Sequence, residues 1–282
     1  MKVLVAGAGG MLGREVTAAC HARRHDVVAL ARPALDITDP AAVERAISDY
    51  DPDVVINCAG FTDVDGAEDD EAGAMRVNDE GAALLASAAA AIGAKIVYIS
   101  SDYVFDGSGQ RPYVESDIPA PRSAYGRSKQ AGETSVGVAN PRHFIVRSSW
   151  LYGVGGKNFV ETMLRLGSEQ HEVLVVSDQI GCPTYTRHLG AALAGLVEDE
   201  EFGIHHIAGT GSCSWYEFAQ EIFDQAGLEC RVMAATTEML ARKAPRPRYS
   251  VLGTERRDPI ALPTWRQGLA AYLAERTLEA AA

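Results

Sequence analysis

Two hydrophobic periods take turns along the chain. Residues 2–6 form a short apolar run ahead of a glycine cluster, the pattern of a strand buried on both faces. Residues 12–21 follow as a helix and 26–31 as a second strand. Asp39 then stands where an N-cap belongs, with Pro40 at the first helical position. Val43, Ala46 and Ile47 are spaced for one face of that helix. Further buried strands are predicted at 53–57 and 94–100, with an alanine-rich helix between them, and another strand at 143–149. Alternation of this kind builds a parallel sheet with helices on both faces, a doubly wound α/β fold.

The second half is less regular. Helices are expected at 158–166, 186–197 and 214–226, and strands at 172–176 and 203–207. Leu189, Leu193, Leu196 and Val197 share one helix face. Ser214 and Glu217 have the spacing of a capping box. A proline- and arginine-rich stretch, 242–248, precedes a last helix near 265–275. The expected division is a nucleotide-binding domain at 1–150, with 172–207 returning to it, and a smaller C-terminal substrate lobe made of 151–171 and 208–282.

Composition narrows the partners. The 282 residues are 47% hydrophobic and 23% charged, which suits a globular chain rather than long disorder. A net charge of −12 repels nucleic acid and anionic membrane, so neither is expected as a partner. The most apolar stretch, 81–94, is shorter than the ~18–20 residues of a membrane span. Met1-Lys2-Val3-Leu4-Val5 leads straight into the first strand without the pattern of a secretory leader. Cys20, Cys58, Cys182, Cys213 and Cys230 form no Cys-x-x-Cys pair and read as reduced thiols. A cytoplasmic protein is expected.

The glycine cluster carries the first chemistry. Gly7, Gly10 and Gly13 stand at Gly-x-x-Gly-x-x-Gly spacing between the first strand and the first helix. Glycine allows a tight turn and close approach to a pyrophosphate, and the helix N-terminus offers free N–H groups and a positive dipole end. The expectation is a Rossmann-like dinucleotide site. An acid at the end of the second strand would hold a ribose 2′-hydroxyl. Here the chain reads Leu30-Ala31-Arg32, and Arg32 could meet a 2′-phosphate or stand solvated. The reading favours NADPH, with NADH open. Asp36 and Ile37 follow and could flank the adenine.

Tyr125 and Lys129 are four apart and share a helix face. A free tyrosine titrates near pH ~10, too high for ready proton transfer at neutrality, and a nearby ammonium is expected to lower it. Ser100-Ser101-Asp102 closes the preceding strand and offers a hydroxyl to orient a carbonyl. Tyr-x-x-x-Lys alone is common. Together with the glycine turn and the serines it points to a catalytic set.

The order of these motifs, with Asn57-Cys58-Ala59-Gly60 between them, resembles the extended short-chain dehydrogenase/reductase superfamily. Longer runs resemble a narrower family, the dTDP-4-dehydrorhamnose reductases: Asp102-Tyr103-Val104-Phe105-Asp106-Gly107, Arg147-Ser148-Ser149-Trp150-Leu151-Tyr152-Gly153, Asn158-Phe159 and Asp178-Gln179-Ile180-Gly181-Cys182-Pro183-Thr184. The likeness runs from residue 1 to about 273 and is weakest at 227–244.

The resemblance implies that Gly10, Met11 and Leu12 contact the cofactor pyrophosphate, that Asp36 and Ile37 border its adenine, and that Gly60, Phe61 and Thr62 line its middle. Tyr125 would donate the proton, Lys129 would bind the nicotinamide ribose, and Ser101 would replace a threonine common in the family. Asp102 and Trp150 would contact the sugar nucleotide. Trp150 could equally be a core aromatic. Some members hold magnesium through glutamates at a dimer contact. Glu15 could take part, but no glutamate lies at 184–189, so magnesium is not expected. A homodimer remains open. The substrate's diphosphate needs local positive charge, and Arg246, in a stretch without acids, is a candidate ligand beside the plainer reading of a solvated basic loop. Cys58 and Cys182 read as packing thiols, and His205-His206 as structural.

The implied reaction is reduction of dTDP-4-dehydro-β-L-rhamnose to dTDP-L-rhamnose. A dehydratase of this superfamily would carry Asp-Glu after the hydroxyl residue, where this chain has Asp102-Tyr103. An epimerase is not excluded by these residues, but the tryptophan and Asp-Gln motifs fit reduction better. A reductase of another nucleotide-linked 4-keto-6-deoxy sugar remains open. So does a non-catalytic regulatory subunit, of the kind represented by the β subunit of methionine adenosyltransferase, against which stand Tyr125, Lys129 and Ser101.

Overall fold

Strands β1 (Lys2–Ala6), β3 (Val54–Asn57) and β4 (Lys95–Ser101) are mostly apolar and buried along nearly their whole length. Such runs belong at the centre of a sheet covered on both sides. They lie there in the computed structural model, which describes residues 1–280, with side chains to 277. With β2 (Asp26–Leu30), β5 (His143–Ser148) and β10 (Gly203–His206) they form a six-stranded, wholly parallel sheet in the order β2-β1-β3-β4-β5-β10. The chain leaves β1 to one side for β2 and returns on its other side as β3. The crevice beyond the carboxyl ends of β1 and β3 is the place where open α/β sheets bind ligands.

Helices α1 (Met11–Ala22) and α7 (Thr186–Leu196) cover one face, packing Val16, Leu189 and Leu193 on Val3, Val5 and Ile56. On the other face lie α2 (Pro40–Tyr50), α4 (Gly81–Ala91) and α5 (Ala124–Ala139). The alanines of α4 let it approach closely, so Ala82, Leu85, Ala86 and Ala89 meet Leu4, Val55 and Ile96. Asp39 caps α2 through the Ala41 N–H at 3.0 Å, as expected from its place before Pro40. Two features went unread in the sequence. A short helix, α3 (Glu71–Met75), and a π turn at Arg76–Glu80 run into α4.

The second unit is built on α6 (Phe159–Glu169), α8 (Trp215–Ala226) and α10 (Trp265–Ala280), around Phe218, Ile222, Leu269 and Tyr272. Asn158, expected inside a helix, is the N-cap of α6, and Ser214 with Glu217 forms the expected capping box. Short ladders brace the unit: β6 (Leu151–Tyr152) with β9 (Thr184–Tyr185), β8 (Ile180–Gly181) with β11 (Cys213–Ser214), and β7 (Glu172–Val176) with β12 (Arg231–Ala235). One turn of helix, α9 (Thr237–Leu240), follows β12.

The pairing of β7 corrects an expectation. Residues 172–207 are expected from the sequence to return to the nucleotide-binding domain. β7 instead pairs with β12, and the chain rejoins the main layers only with α7 and β10. The burial pattern supplies the reason: Glu172 and Leu174 face solvent, so β7 is covered on one side only and has no place among doubly covered strands.

Candidate active site

The glycine turn behaves as two kinds of glycine. Gly7 adopts φ +75°, and a Cβ there would stand 2.5 Å from the Ala59 nitrogen. A Cβ on Gly13 would stand 2.3 Å from the Gly7 carbonyl oxygen. Gly13 therefore lets α1 pack on the turn rather than facing a ligand. Gly10 differs: the nearest atom to a Cβ there is the Gly7 oxygen at 3.5 Å. It is also the N-cap of α1 without a side-chain cap, so the helix offers free N–H groups to the groove. That uncapped terminus, together with the turn, fits a dinucleotide pyrophosphate.

A cavity of about 570 Å³ opens from Gly7 and Gly10 past Arg32, Asp36 and Ile37 to Gly60, Phe61 and Thr62. Arg32 is mostly exposed, with Nε 3.8 Å from Asp36 Oδ2. Asp36 accepts the Thr38 N–H at 3.0 Å and its hydroxyl at 2.8 Å, bonds that hold its carboxyl below the usual range. Asn78, which no motif marked, holds the far wall. It accepts the Phe61 N–H at 2.9 Å and donates to the Phe61 carbonyl at 3.0 Å and to Ser128 Oγ at 2.9 Å.

A second cavity, about 470 Å³, shares Gly10, Cys58, Ala59, Gly60 and Thr62 with the first and continues to Ser101, Asp102, Tyr125 and Lys129. Met11, Leu12 and Trp150 also line it. The two cavities thus make one groove, with the glycine turn along it and the tyrosine–lysine pair at its far end. Ser123 caps α5 through the Gly126 N–H at 3.1 Å and starts the helix just before Tyr125. Ser101 Oγ donates to Asp102 Oδ1 at 3.0 Å and accepts the Tyr103 N–H at 3.2 Å. Ser250 donates to Asp102 Oδ2 at 2.5 Å. Burial outweighs these bonds and pushes the Asp102 carboxyl up to about 6.

The electrostatics of Tyr125 correct a second expectation. Its phenol is pushed up to about 12, because burial dominates and a hydrogen bond with Ser101 only partly offsets it. Lys129 does not lower it here: its ammonium donates to the Ile99 carbonyl at 3.0 Å and lies 5.1 Å from the centre of the Tyr98 ring. Burial pulls Lys129 down to about 8. Burial also pushes the Cys58 and Cys182 thiols up to about 12, which leaves them little thiolate.

Trp150 lies just past the end of β5 at φ +49°. Its indole stacks on Trp215 at 3.5 Å and 3°, and a Cβ on Gly181 would run into it. Trp215 and Lys157 also line the second cavity and were missed. Lys157 directly follows Gly155-Gly156, a legible signal, whereas Trp215, at the start of α8, has none in local sequence. Arg246 does not face a free anion site. Its guanidinium grips Asp65 at 2.5 and 2.9 Å, and Lys243 pairs with Asp69. The stretch lacks acids in sequence, but the fold supplies them from the loop before α3. Among the described residues no cluster of three or more His, Cys, Asp or Glu is arranged to hold a metal, and no helix is long and apolar enough to cross a membrane.

A doubly wound parallel sheet, a glycine turn at its switch point and a Tyr-x-x-x-Lys helix define the architecture of the short-chain dehydrogenase/reductases. Within that class, the family model described as RmlD substrate binding domain matches residues 1–278, and the chain belongs to this dTDP-4-dehydrorhamnose reductase family. It is 48% identical over 260 residues to dTDP-4-dehydrorhamnose reductase of Streptomyces griseus, covering 90% of this chain and 86% of the relative. It is 43% identical to the spore coat polysaccharide biosynthesis protein SpsK of Bacillus subtilis, covering 98% of each. The crystal structure of dTDP-4-dehydrorhamnose reductase from Bacillus anthracis in complex with NADP superposes with a TM-score of 0.95 at 40% identity, covering 97% of this chain and 99% of that one.

Proposed function

We propose that the chain reduces the 4-keto group of dTDP-4-dehydro-β-L-rhamnose with NADPH, giving dTDP-L-rhamnose. The observation that carries this reading is the meeting of Tyr125, Ser101 and Lys129 at the far end of the groove that runs past the glycine turn. The dinucleotide, when bound, supplies a hydride to the carbonyl carbon. Negative charge then develops on the carbonyl oxygen. Tyr125, held protonated by burial, gives its proton to that oxygen, and Ser101 turns its hydroxyl from Asp102 to donate a hydrogen bond to it. Lys129, whose ammonium is anchored on the Ile99 carbonyl, would bind the nicotinamide ribose beside the reacting carbonyl. Hydride and proton together complete the alcohol.

Gly10, Met11 and Leu12 would take the pyrophosphate, and Arg32 the 2′-phosphate. Asp102 and Trp150 would face the sugar. Arg246 would serve the substrate diphosphate by exchanging Asp65 for phosphate oxygens, and Lys157 adds positive charge to the groove that holds Tyr125. The reaction is assigned to the cytoplasm, where nicotinamide donors are kept reduced.

A second reading, a reductase of another nucleotide-linked 4-keto-6-deoxy sugar, is favoured by a relative in Streptomyces niveus named dTDP-4-keto-6-deoxy-D-glucose reductase, 41% identical over 252 residues. Turnover of dTDP-4-dehydro-β-L-rhamnose beside dTDP-4-keto-6-deoxy-D-glucose, with products identified by NMR, separates the two. A higher kcat/KM for the first, with dTDP-L-rhamnose as product, supports the proposal; preference for the second overturns it. A protein that binds the dinucleotide and turns over neither would fit the regulatory reading.

A further inference from the structure

Three chain segments bring the proposed reacting groups together, and a single buried carboxylate ties them to one another. Glu133 lies on α5, one turn beyond Lys129, and is 6% exposed. It accepts Ser100 Oγ at 2.5 Å, Arg147 Nε at 2.8 Å and Arg147 Nη2 at 2.7 Å. Ser100 immediately precedes Ser101 on β4. Arg147, on β5, stands three residues before Trp150. Tyr125 and Lys129 are on α5 itself. Arg147 is fixed in turn: its guanidinium stacks over Phe105 at 5.0 Å, and Nη1 lies 3.4 Å from His206 Nε2.

We propose that Glu133 is a positioning residue for the reduction: it locks α5, which carries Tyr125 and Lys129, in register against the ends of β4 and β5. This rests on the reductase reading above. Stability alone is a poor reason for such a pair, because a buried ion pair is often no more stable than well-packed apolar residues of similar volume. Its value lies in fixed geometry. Misplacing a reacting group by about 1 Å can cost about 100-fold in rate.

The surroundings of Lys129 supply a readout of that register. Burial pulls its ammonium down to about 8, and the Glu133 carboxylate opposes that shift. The other groups facing this region are Tyr98 on β4, Tyr125 on α5, Asp102 after β4, Asp79 in the turn before α4, and Arg147 with His206 behind Glu133. Asp79 accepts the Ser135 hydroxyl at 2.5 Å, and Asp102 accepts those of Ser101 and Ser250.

The test uses the full chain as Glu133→Gln and as the double variant Glu133→Leu/Arg147→Met, which removes both charges. The ε-carbon resonance of Lys129, assigned with Lys129→Met, is titrated in ¹³C-lysine protein without substrate. Its midpoint is expected to fall by about one unit in Glu133→Gln. Turnover with the 4-keto sugar is expected to fall by about tenfold or more, with NADPH affinity kept and the alkaline limb of the rate moved to lower pH. If Glu133→Gln does not fold, the double variant carries the test with the same expected loss of turnover. A folded variant with wild-type turnover and an unmoved Lys129 midpoint overturns the proposal. If the wild type reduces no 4-keto sugar while the midpoint still follows Glu133, the hold of Glu133 on α5 stands and the reductase reading falls.

Discussion

Replacing Gly7 and Gly10 in turn by alanine separates the fold from the ligand site. At Gly7 the backbone is left-handed, at φ +75°, and the new methyl would stand 2.5 Å from the Ala59 nitrogen and 2.7 Å from its Cα. A left-handed alanine costs roughly 1–2 kcal/mol. Forcing backbone apart in a packed core adds roughly 1–3 kcal/mol. Gly7→Ala should therefore destabilise the protein by about 2–5 kcal/mol. At about 2–4 °C per kcal/mol, that is a fall in Tm of several degrees or more. Gly10 has φ −79°, and its methyl would meet only the Gly7 oxygen, at 3.5 Å. The stability cost is that of a poorer N-cap, about 1 kcal/mol. The methyl would instead stand in the groove at the α1 N-terminus, where the pyrophosphate is proposed to sit. NADPH affinity should fall by about tenfold or more, which is about 1.4 kcal/mol. Urea and thermal unfolding of the dinucleotide-free protein give the stabilities, and NADPH fluorescence titration gives the affinities. The reasoning fails if Gly10→Ala loses as much stability as Gly7→Ala, or if it binds NADPH like the wild type.

Three further outcomes are expected. Arg32→Ala should raise the KM for NADPH about tenfold and leave that for NADH unchanged; an unaltered ratio would mean that Arg32 is a solvated arginine. Burial raises the folded Asp102 carboxyl to about 6, above its unfolded value of about 3.9, so its contribution to stability is present below pH ~4 and lost as pH rises through ~6. Across that window the wild type should lose roughly 3 kcal/mol relative to Asp102→Asn in urea unfolding, and parallel pH profiles would contradict the assignment. Trp215→Leu removes the ring stacked on Trp150 and should raise the KM for the sugar nucleotide several-fold with NADPH binding unchanged; equal loss of both would show a general collapse of the lobe.

The central sheet was legible because its strands are short apolar runs set off by helix periods and glycine, and because the glycine turn, the serines and Tyr125 each sit at a strand end or helix start. The placement of β7 was not, since an apolar run states that a strand exists but not which partner it finds; only the exposure of Leu174 reveals its lobe. The catalytic candidates were visible as local motifs. Their electrostatics were not: the pKa of Tyr125 is governed by burial, and Lys129 spends its hydrogen bond on the Ile99 carbonyl. Asn78 and Trp215 meet Ser128 and Trp150 from far along the chain, and Glu133 meets Ser100 and Arg147 on other elements, so nothing around them marks these contacts. Arg246 shows the same limit from the other side, because the carboxylate that holds it, Asp65, lies 181 residues away.

Oxidation of NADPH, followed by its near-ultraviolet absorbance, decides between a reductase and a protein that merely binds the dinucleotide. Wild type and Tyr125→Phe are each mixed with enzymatically prepared dTDP-4-dehydro-β-L-rhamnose. The proposed function predicts oxidation that requires the sugar nucleotide and falls by about 10²–10⁴ in the variant, while both proteins bind NADPH alike. No oxidation by wild-type protein that binds NADPH, or undiminished oxidation by Tyr125→Phe, would contradict it.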